Sequence, residues 1–150
     1  MKLKERTRTV EYAIGLGTLA GFGWMLLGNY LLRWLAGFGL SPGLGTQALV
    51  GTSEGLLLVA ILAVAGLVAG LMGVESRWVF GIGATALAVL LRYAFLAVVS
   101  PSLPFDSIME LCLHGLLGIL AVVVSARMAA LGDRLGRPKE PPKEPPKEQI

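Results

Sequence analysis

The sequence contains one cysteine and one histidine, Cys112 and His114, among its 150 residues. A lone cysteine forms no disulfide within the chain, and no Cys/His cluster is present to hold a metal ion. One histidine supplies only one axial ligand to a haem, and no glycine-rich phosphate-binding motif lies in a polar segment. No serine has a base beside it that would activate a nucleophile. We therefore expect no cofactor, no metal site and no enzymatic activity.

Charge is also scarce, since 15% of the residues are charged and 55% are hydrophobic. A soluble domain of this length has too little interior to bury so much apolar surface. Four apolar runs approach the roughly 20 residues that cross a bilayer as a helix. The sequence predicts an all-α, polytopic membrane protein, a four-transmembrane-helix bundle in a lipid bilayer that occupies residues 1–131. The predicted spans are 10–32, 52–72, 79–99 and 107–128.

Positive charge is almost missing from two of the connections between these spans, where only Arg33 occurs, at the end of the first span. The other basic residues precede the first span, separate the second from the third, or follow the fourth. This asymmetry predicts a plasma-membrane protein with both termini in the cytoplasm. The net charge of +3 is then a signal of topology, and no nucleic-acid partner is expected.

Residues 132–150 contain a repeated Pro-Pro-Lys-Glu motif. Proline lacks a backbone donor and the alternating charges oppose collapse, so we predict a disordered cytoplasmic tail of polyproline type. The tail is either a solvated extension or a ligand for a cytoplasmic partner.

Small residues recur at helical spacing in the first two spans, as GTLAG at 17–21 and GLVAG at 66–70. In lipid, such spacing lets two helix backbones approach closely. The motifs predict helix packing within the chain or a seam between two copies of a homo-oligomer. Trp24 lies away from the span ends that aromatic residues favour, so we expect it to pack internally.

In what the topology makes the outer half of the bilayer, the spans carry a group of ionisable residues, Glu54, Arg92, Glu110 and His114, whereas Glu11 lies near the inner boundary. Counting along the helices places Glu54 within about one turn of the outer surface, and Arg92 and His114 about 10 Å deep. An unpaired charge near the centre of a span costs about 3 kcal/mol. We therefore predict that Arg92 pairs with Glu54, with Glu110 or with both.

His114 lies four residues after Glu110 on the same helical face and joins the predicted network. Further contributors are expected among the neighbouring polar residues Asn29, Arg33, Tyr93 and Asp106. Two interpretations of the network remain open. It is either a structural ion-pair network that fixes helix register, or a site that binds ions or relays protons.

The order of features from Glu54 to the tail resembles the phosphate-starvation-inducible PsiE family of small bacterial inner-membrane proteins. The similarity lies in the Ser-Glu-Gly at 53–55, in Arg77 before an aromatic residue, and in the Gly-Ala-Thr-Ala at 83–86 that leads to Arg92. A proline and then Asp106 follow before the fourth span.

The resemblance implies a four-helix bacterial inner-membrane protein with a buried Glu–Arg pair. It suggests a non-enzymatic protein linked to stress or phosphate starvation, or an accessory subunit of a larger membrane complex. The alternative is a small ion or proton transporter or channel that uses the four buried ionisable residues.

Overall fold

A computed structural model describes residues 2–39, 44–99 and 108–136, and the side chains of residues 7–39, 49–98 and 112–136. The described residues form four helices, which confirms the predicted all-α fold. The helices are α1 (Lys2–Ala36), α2 (Leu44–Leu71), α3 (Arg77–Val99) and α4 (Ile108–Gly136). Each contains a segment long and apolar enough to cross a membrane.

The helices are longer than the predicted spans at several ends. α2 begins at Leu44, so part of the apolar connection before residue 52 is helical. α4 continues to Gly136, which makes residues 132–136 helical instead of part of the predicted tail. Residues 137–150 lie outside the described part of the chain, so the prediction of a disordered tail over these residues stays a prediction.

The two closest helix pairs are α2 with α4 and α1 with α3. α1 also contacts α2, α3 contacts α4, and α2 touches α3 across the middle of the bundle. Helices that follow one another in sequence run in opposite directions, so each closest pair is parallel. We call the end where α1 finishes and α2 starts the loop end, and the end that holds the α2–α3 connection the turn end.

The α2–α3 connection is tight because α2 ends in a Schellman motif. The N–H of Val74 donates to the carbonyl of Ala69, and that of Gly73 donates to Gly70. Gly73 has a φ of 78°, a backbone conformation that glycine adopts without a steric penalty. Val74 is buried beside it, which fixes the direction in which the chain enters α3.

Small residues bring the parallel helices into backbone contact. A Cβ added at Gly17 would lie 2.8 Å from Cα of Ala84, and one at Gly21 would lie 3.2 Å from Cα of Ala88. The second motif, at 66–70, packs in the same way against the backbone of α4 at Ser125. Both small-residue motifs therefore serve packing within the chain.

Much of the exterior is apolar along the length of every helix. Large hydrophobic side chains such as Leu26, Val64, Leu90 and Ile119 are exposed. An apolar exterior of this extent suits contact with lipid and is rare on soluble monomers. Together with the four spans, it indicates a membrane protein.

Candidate functional site: a buried ion pair under a tryptophan

Arg92 of α3 and Glu54 of α2 form an ion pair inside the bundle. The Arg92 Nη2–Glu54 Oε1 distance is 2.8 Å, and Arg92 is only 4% exposed. The structure confirms Glu54 as a partner of Arg92, and the predicted pairing with Glu110 falls on a side chain outside the described residues. A guanidinium suits this position because it stays charged and can donate several hydrogen bonds from one planar group.

α2 extends further before Glu54 than the predicted span does. Because α2 starts at Leu44, Glu54 is about 15 Å from the beginning of the helix, while its depth below the outer surface stays a prediction. Arg92 lies about 10 Å before the end of α3 at Val99. Counted from the α2–α3 connection, Glu54 and Arg92 lie at similar distances along their helices, about 25 Å and about 22 Å at 1.5 Å per residue.

Trp24 of α1 completes the site, and it was not among the predicted site residues. Its indole is 2% exposed, as the prediction of internal packing required. The ring centroid lies 5.6 Å from Cζ of Arg92, within the range of a cation–π interaction. The indole Nε1 donates a hydrogen bond of 3.0 Å to the backbone carbonyl of Glu54. One side chain therefore contacts both helices that carry the charges.

Gly28, one helical turn after Trp24, lets α1 approach the ion pair. A Cβ at this position would lie 3.4 Å from Oε1 of Glu54 and 4.0 Å from Nη2 of Arg92. α1 thus contributes an indole and, one turn later, bare backbone to the same site. The i,i+4 spacing of Trp24 and Gly28 places them on one face and is the sequence signal that reports this arrangement.

The ion pair does not satisfy every polar atom near it. Nη1 of Arg92 and Oγ1 of Thr85 are buried without a hydrogen-bond partner among the described residues. Thr85 precedes Arg92 by two helical turns, so both lie on one face of α3. Buried polar atoms are usually paired with protein or water, and these two mark the least satisfied face in the described interior.

His114 and Tyr93 lie next to this site, at a cavity of about 250 Å³. The cavity lies toward the loop end and is lined from all four helices by Trp24, Gly55, Leu58, Val89, Tyr93, His114, Gly115, Leu117 and Gly118. Trp24 therefore lines the cavity and also lies against Arg92. The structure places His114 at this cavity and not in the 2.8 Å ion pair.

The remaining predicted contributors are distributed differently. Asn29 and Arg33 are exposed on α1, so they face away from the buried pair. Glu110 belongs to the first turn of α4, but its side chain lies outside the described residues. Asp106 lies wholly outside them. Of the predicted network, the structure joins two members, Glu54 and Arg92, and brings His114 and Tyr93 to the neighbouring cavity.

A second ion pair links the turn end, where the sequence predicted none. Arg77 Nη2 lies 2.9 Å from Oδ2 of Asp133, and the two side chains are 40% and 19% exposed. It joins the start of α3 to the last turns of α4. Asp133 falls within the predicted tail but lies in α4, which is why the sequence did not predict this ion pair.

The chemistry of the site is that of a neutral, enclosed pair with an aromatic cover. Within the described part of the chain, no group of three or more His, Cys, Asp or Glu residues could hold a metal ion. In comparisons with known proteins, the chain matches no protein-family model, no curated protein and no solved structure.

Proposed function

We propose that the chain is a non-enzymatic integral membrane protein of the PsiE type that acts as an accessory subunit of a larger membrane assembly. In this proposal the Arg92–Glu54 pair fixes the register of the bundle that the assembly recognises. The supporting observation is that the contacts of the pair are internal, since Arg92 meets Glu54 at 2.8 Å and lies against Trp24.

A buried pair can fix register because misalignment separates its charges. A shift of one residue turns a helix by about 100°, which would move Arg92 away from Glu54 and from the indole. An unpaired charge inside a bilayer costs about 3 kcal/mol, whereas a slipped apolar contact finds other apolar contacts. The pair thus favours one arrangement of α1, α2 and α3.

We place the protein in the bacterial inner membrane with both termini in the cytoplasm. The support is the turn end, where the fold gathers the basic residues Arg8, Arg77, Arg127 and Arg134. Arg33 lies at the other end, in the last turn of α1. This asymmetry follows the positive-inside rule. Reporter fusions at the C-terminus and in the α1–α2 connection test it, and an extracytoplasmic C-terminus would contradict it.

Affinity purification from native membranes through a C-terminal tag tests the accessory role. We expect companion proteins in fixed stoichiometry with the wild-type chain, and loss of those companions in Arg92→Leu, which leaves Glu54 unpaired. Asp133→Asn is the matched control, because it opens the exposed ion pair and should keep the companions. Purification of the chain alone, with no companion in fixed ratio, would contradict the proposal.

The transporter remains a second candidate function because two buried polar atoms on α3, Arg92 Nη1 and Thr85 Oγ1, have no hydrogen-bond partner among the described residues. Two such atoms on one buried face are compatible with a path for water or small ions. Proteoliposomes that contain a pH-sensitive dye test this candidate. A transporter requires proton flux above that of empty liposomes, and loss of the flux in a folded Arg92→Leu/Glu54→Gln variant. Wild-type flux equal to the background would eliminate proton transport.

A further inference from the structure

The cavity beside Trp24 has the properties of a small-molecule site. Its volume is about 250 Å³, which corresponds to roughly eight water molecules at their liquid volume. Drug-sized sites are usually larger, from about 300 Å³ upward. The cavity therefore accommodates one ring system, and a tail attached to that ring would extend out of it.

The cavity opens where α3 and α4 diverge. Toward the turn end these helices are in close contact, because a Cβ at Gly81 would lie 3.0 Å from the carbonyl oxygen of Val122. Toward the loop end a Cβ at Gly115 or Gly118 would meet nothing within 4 Å. Gly115 is also exposed. A ligand dissolved in the surrounding bilayer would thus enter past the bare backbone of α4.

The wall is almost entirely apolar and carries three rings, the indole of Trp24, the phenol of Tyr93 and the imidazole of His114. Rings pack favourably against rings, through stacked or edge-to-face contacts. A phenol oxygen both donates and accepts hydrogen bonds, and an imidazole has two nitrogens, so each side chain has more hydrogen-bonding capacity than a single partner uses. Trp24 covers the guanidinium of Arg92, whose charge is already balanced by Glu54.

We propose that this cavity binds an uncharged, lipid-soluble ring with oxygen substituents, of the quinone or quinol class. We infer a neutral ligand because the charge of Arg92, which lies against Trp24, is already balanced by Glu54. We infer a ring because of the volume of the cavity and its aromatic side chains. The oxygens follow from the hydrogen-bonding capacity of Tyr93 and His114. A lipid acyl chain makes no use of these two side chains. The proposal depends on the cavity alone and holds whether or not the chain is an accessory subunit.

Tryptophan fluorescence tests the proposal because Trp24 is part of the cavity wall. The other tryptophans, Trp34 and Trp78, are exposed, so a Trp34→Phe/Trp78→Phe variant reports on Trp24 alone. In nanodiscs, decylubiquinone should quench this variant saturably. A Trp24→Phe/Trp78→Phe variant, which reports on Trp34, should show only unsaturable quenching from quinone dissolved in lipid. Identical, unsaturable quenching of the two variants would overturn the proposal.

Filling the cavity separates binding from folding. In the Trp24 reporter, Gly118→Leu places a side chain in open space at the wall and should weaken decylubiquinone binding at least about tenfold. Gly15→Leu is the matched control, because Gly15 is equally open but lies on α1 away from the cavity. Circular dichroism and thermal unfolding establish that each variant is folded, and Gly115→Leu replaces Gly118→Leu if the latter is not. Unchanged affinity in a folded cavity variant would refute the site.

Two further measurements identify the ligand class. Tyr93→Phe and His114→Leu should each weaken decylubiquinone binding while the folded state persists. Decane, which has no oxygen, should not displace the quinone. Full displacement by decane, or undiminished binding in both variants, would identify a hydrocarbon site and overturn the quinone assignment.

Discussion

The two ends of the bundle are held together by different means. Toward the loop end, a buried ion pair and an indole connect α1, α2 and α3, and a cavity separates parts of α3 and α4. Toward the turn end, helix backbones touch through glycine, and the ion pair lies near the exterior. At the loop end the ion pair is buried although a cavity lies between the helices. At the turn end the ion pair is exposed although the helix backbones are in contact.

The two ion pairs show that distance alone does not determine the value of a salt bridge. Their N–O distances are 2.8 and 2.9 Å. The side chains of Arg92 and Glu54 are 5% and 12% exposed, against 40% and 19% for Arg77 and Asp133. Removing one partner of a buried pair leaves the other charge buried without a counter-charge. Removing one partner of an exposed pair leaves a charge that water can solvate. The predictions below test this contrast, from the largest expected effect to the smallest.

Arg92→Leu should lower the free energy of unfolding by about 3–5 kcal/mol, because Glu54 is left buried without its counter-charge. Chemical unfolding in detergent micelles or bicelles measures the change. The control is Arg92→Leu/Glu54→Leu, which removes both charges and should recover most of the loss. A double variant as unstable as the single one would show that the unpaired charge is not the cause.

Gly70→Ala should destabilise the turn end by about 1–3 kcal/mol, as overpacking does. The new Cβ would overlap the carbonyl oxygen of Ala129 and lie 2.9 Å from its Cα, so α2 and α4 must separate. Gly15→Ala is the matched control, since a Cβ there meets nothing within 4 Å. Equal stability of the two variants in the same unfolding assay would contradict close backbone packing at this end.

Trp24→Phe should cost about 1–2 kcal/mol, because it removes the hydrogen bond to the Glu54 carbonyl and weakens the contact with Arg92. Trp78→Phe, on an exposed part of α3, should change stability by less. A larger loss at Trp78 than at Trp24 would show that the indole does not support the buried pair.

Asp133→Asn should have the smallest effect, below about 1 kcal/mol, because its partner Arg77 is substantially exposed. The loss should shrink as salt is added, since added ions screen surface charges. The effect of Arg92→Leu should be nearly independent of salt. Unfolding curves at low and high ionic strength compare the two, and similar salt dependence at both sites would remove the distinction between them.

Much of the fold could be predicted from the sequence, because the length of an apolar run determines whether a helix can cross a membrane. The pairing of Arg92 with Glu54 was among the predicted alternatives because a buried charge requires an opposite one. Trp24 and Gly28 were not predicted as site residues. The position of a residue along a helix gives its depth in the membrane but does not show which neighbouring helix its side chain faces. Rotation depends on how glycine and alanine pack between helices, which depth along one helix does not reveal.

The separation of Arg92 and Glu54 along the chain has a consequence for biosynthesis. Glu54 precedes Arg92 by 38 residues, so at 5–20 residues per second the ribosome makes the arginine roughly 2–8 s after the glutamate. During that interval the nascent α1–α2 hairpin carries an acid that has no basic partner yet. The acid acquires its counter-charge only when α3 joins the bundle. The α3–α4 half of the chain thus supplies the counter-charge that the α1–α2 hairpin lacks while it is being inserted.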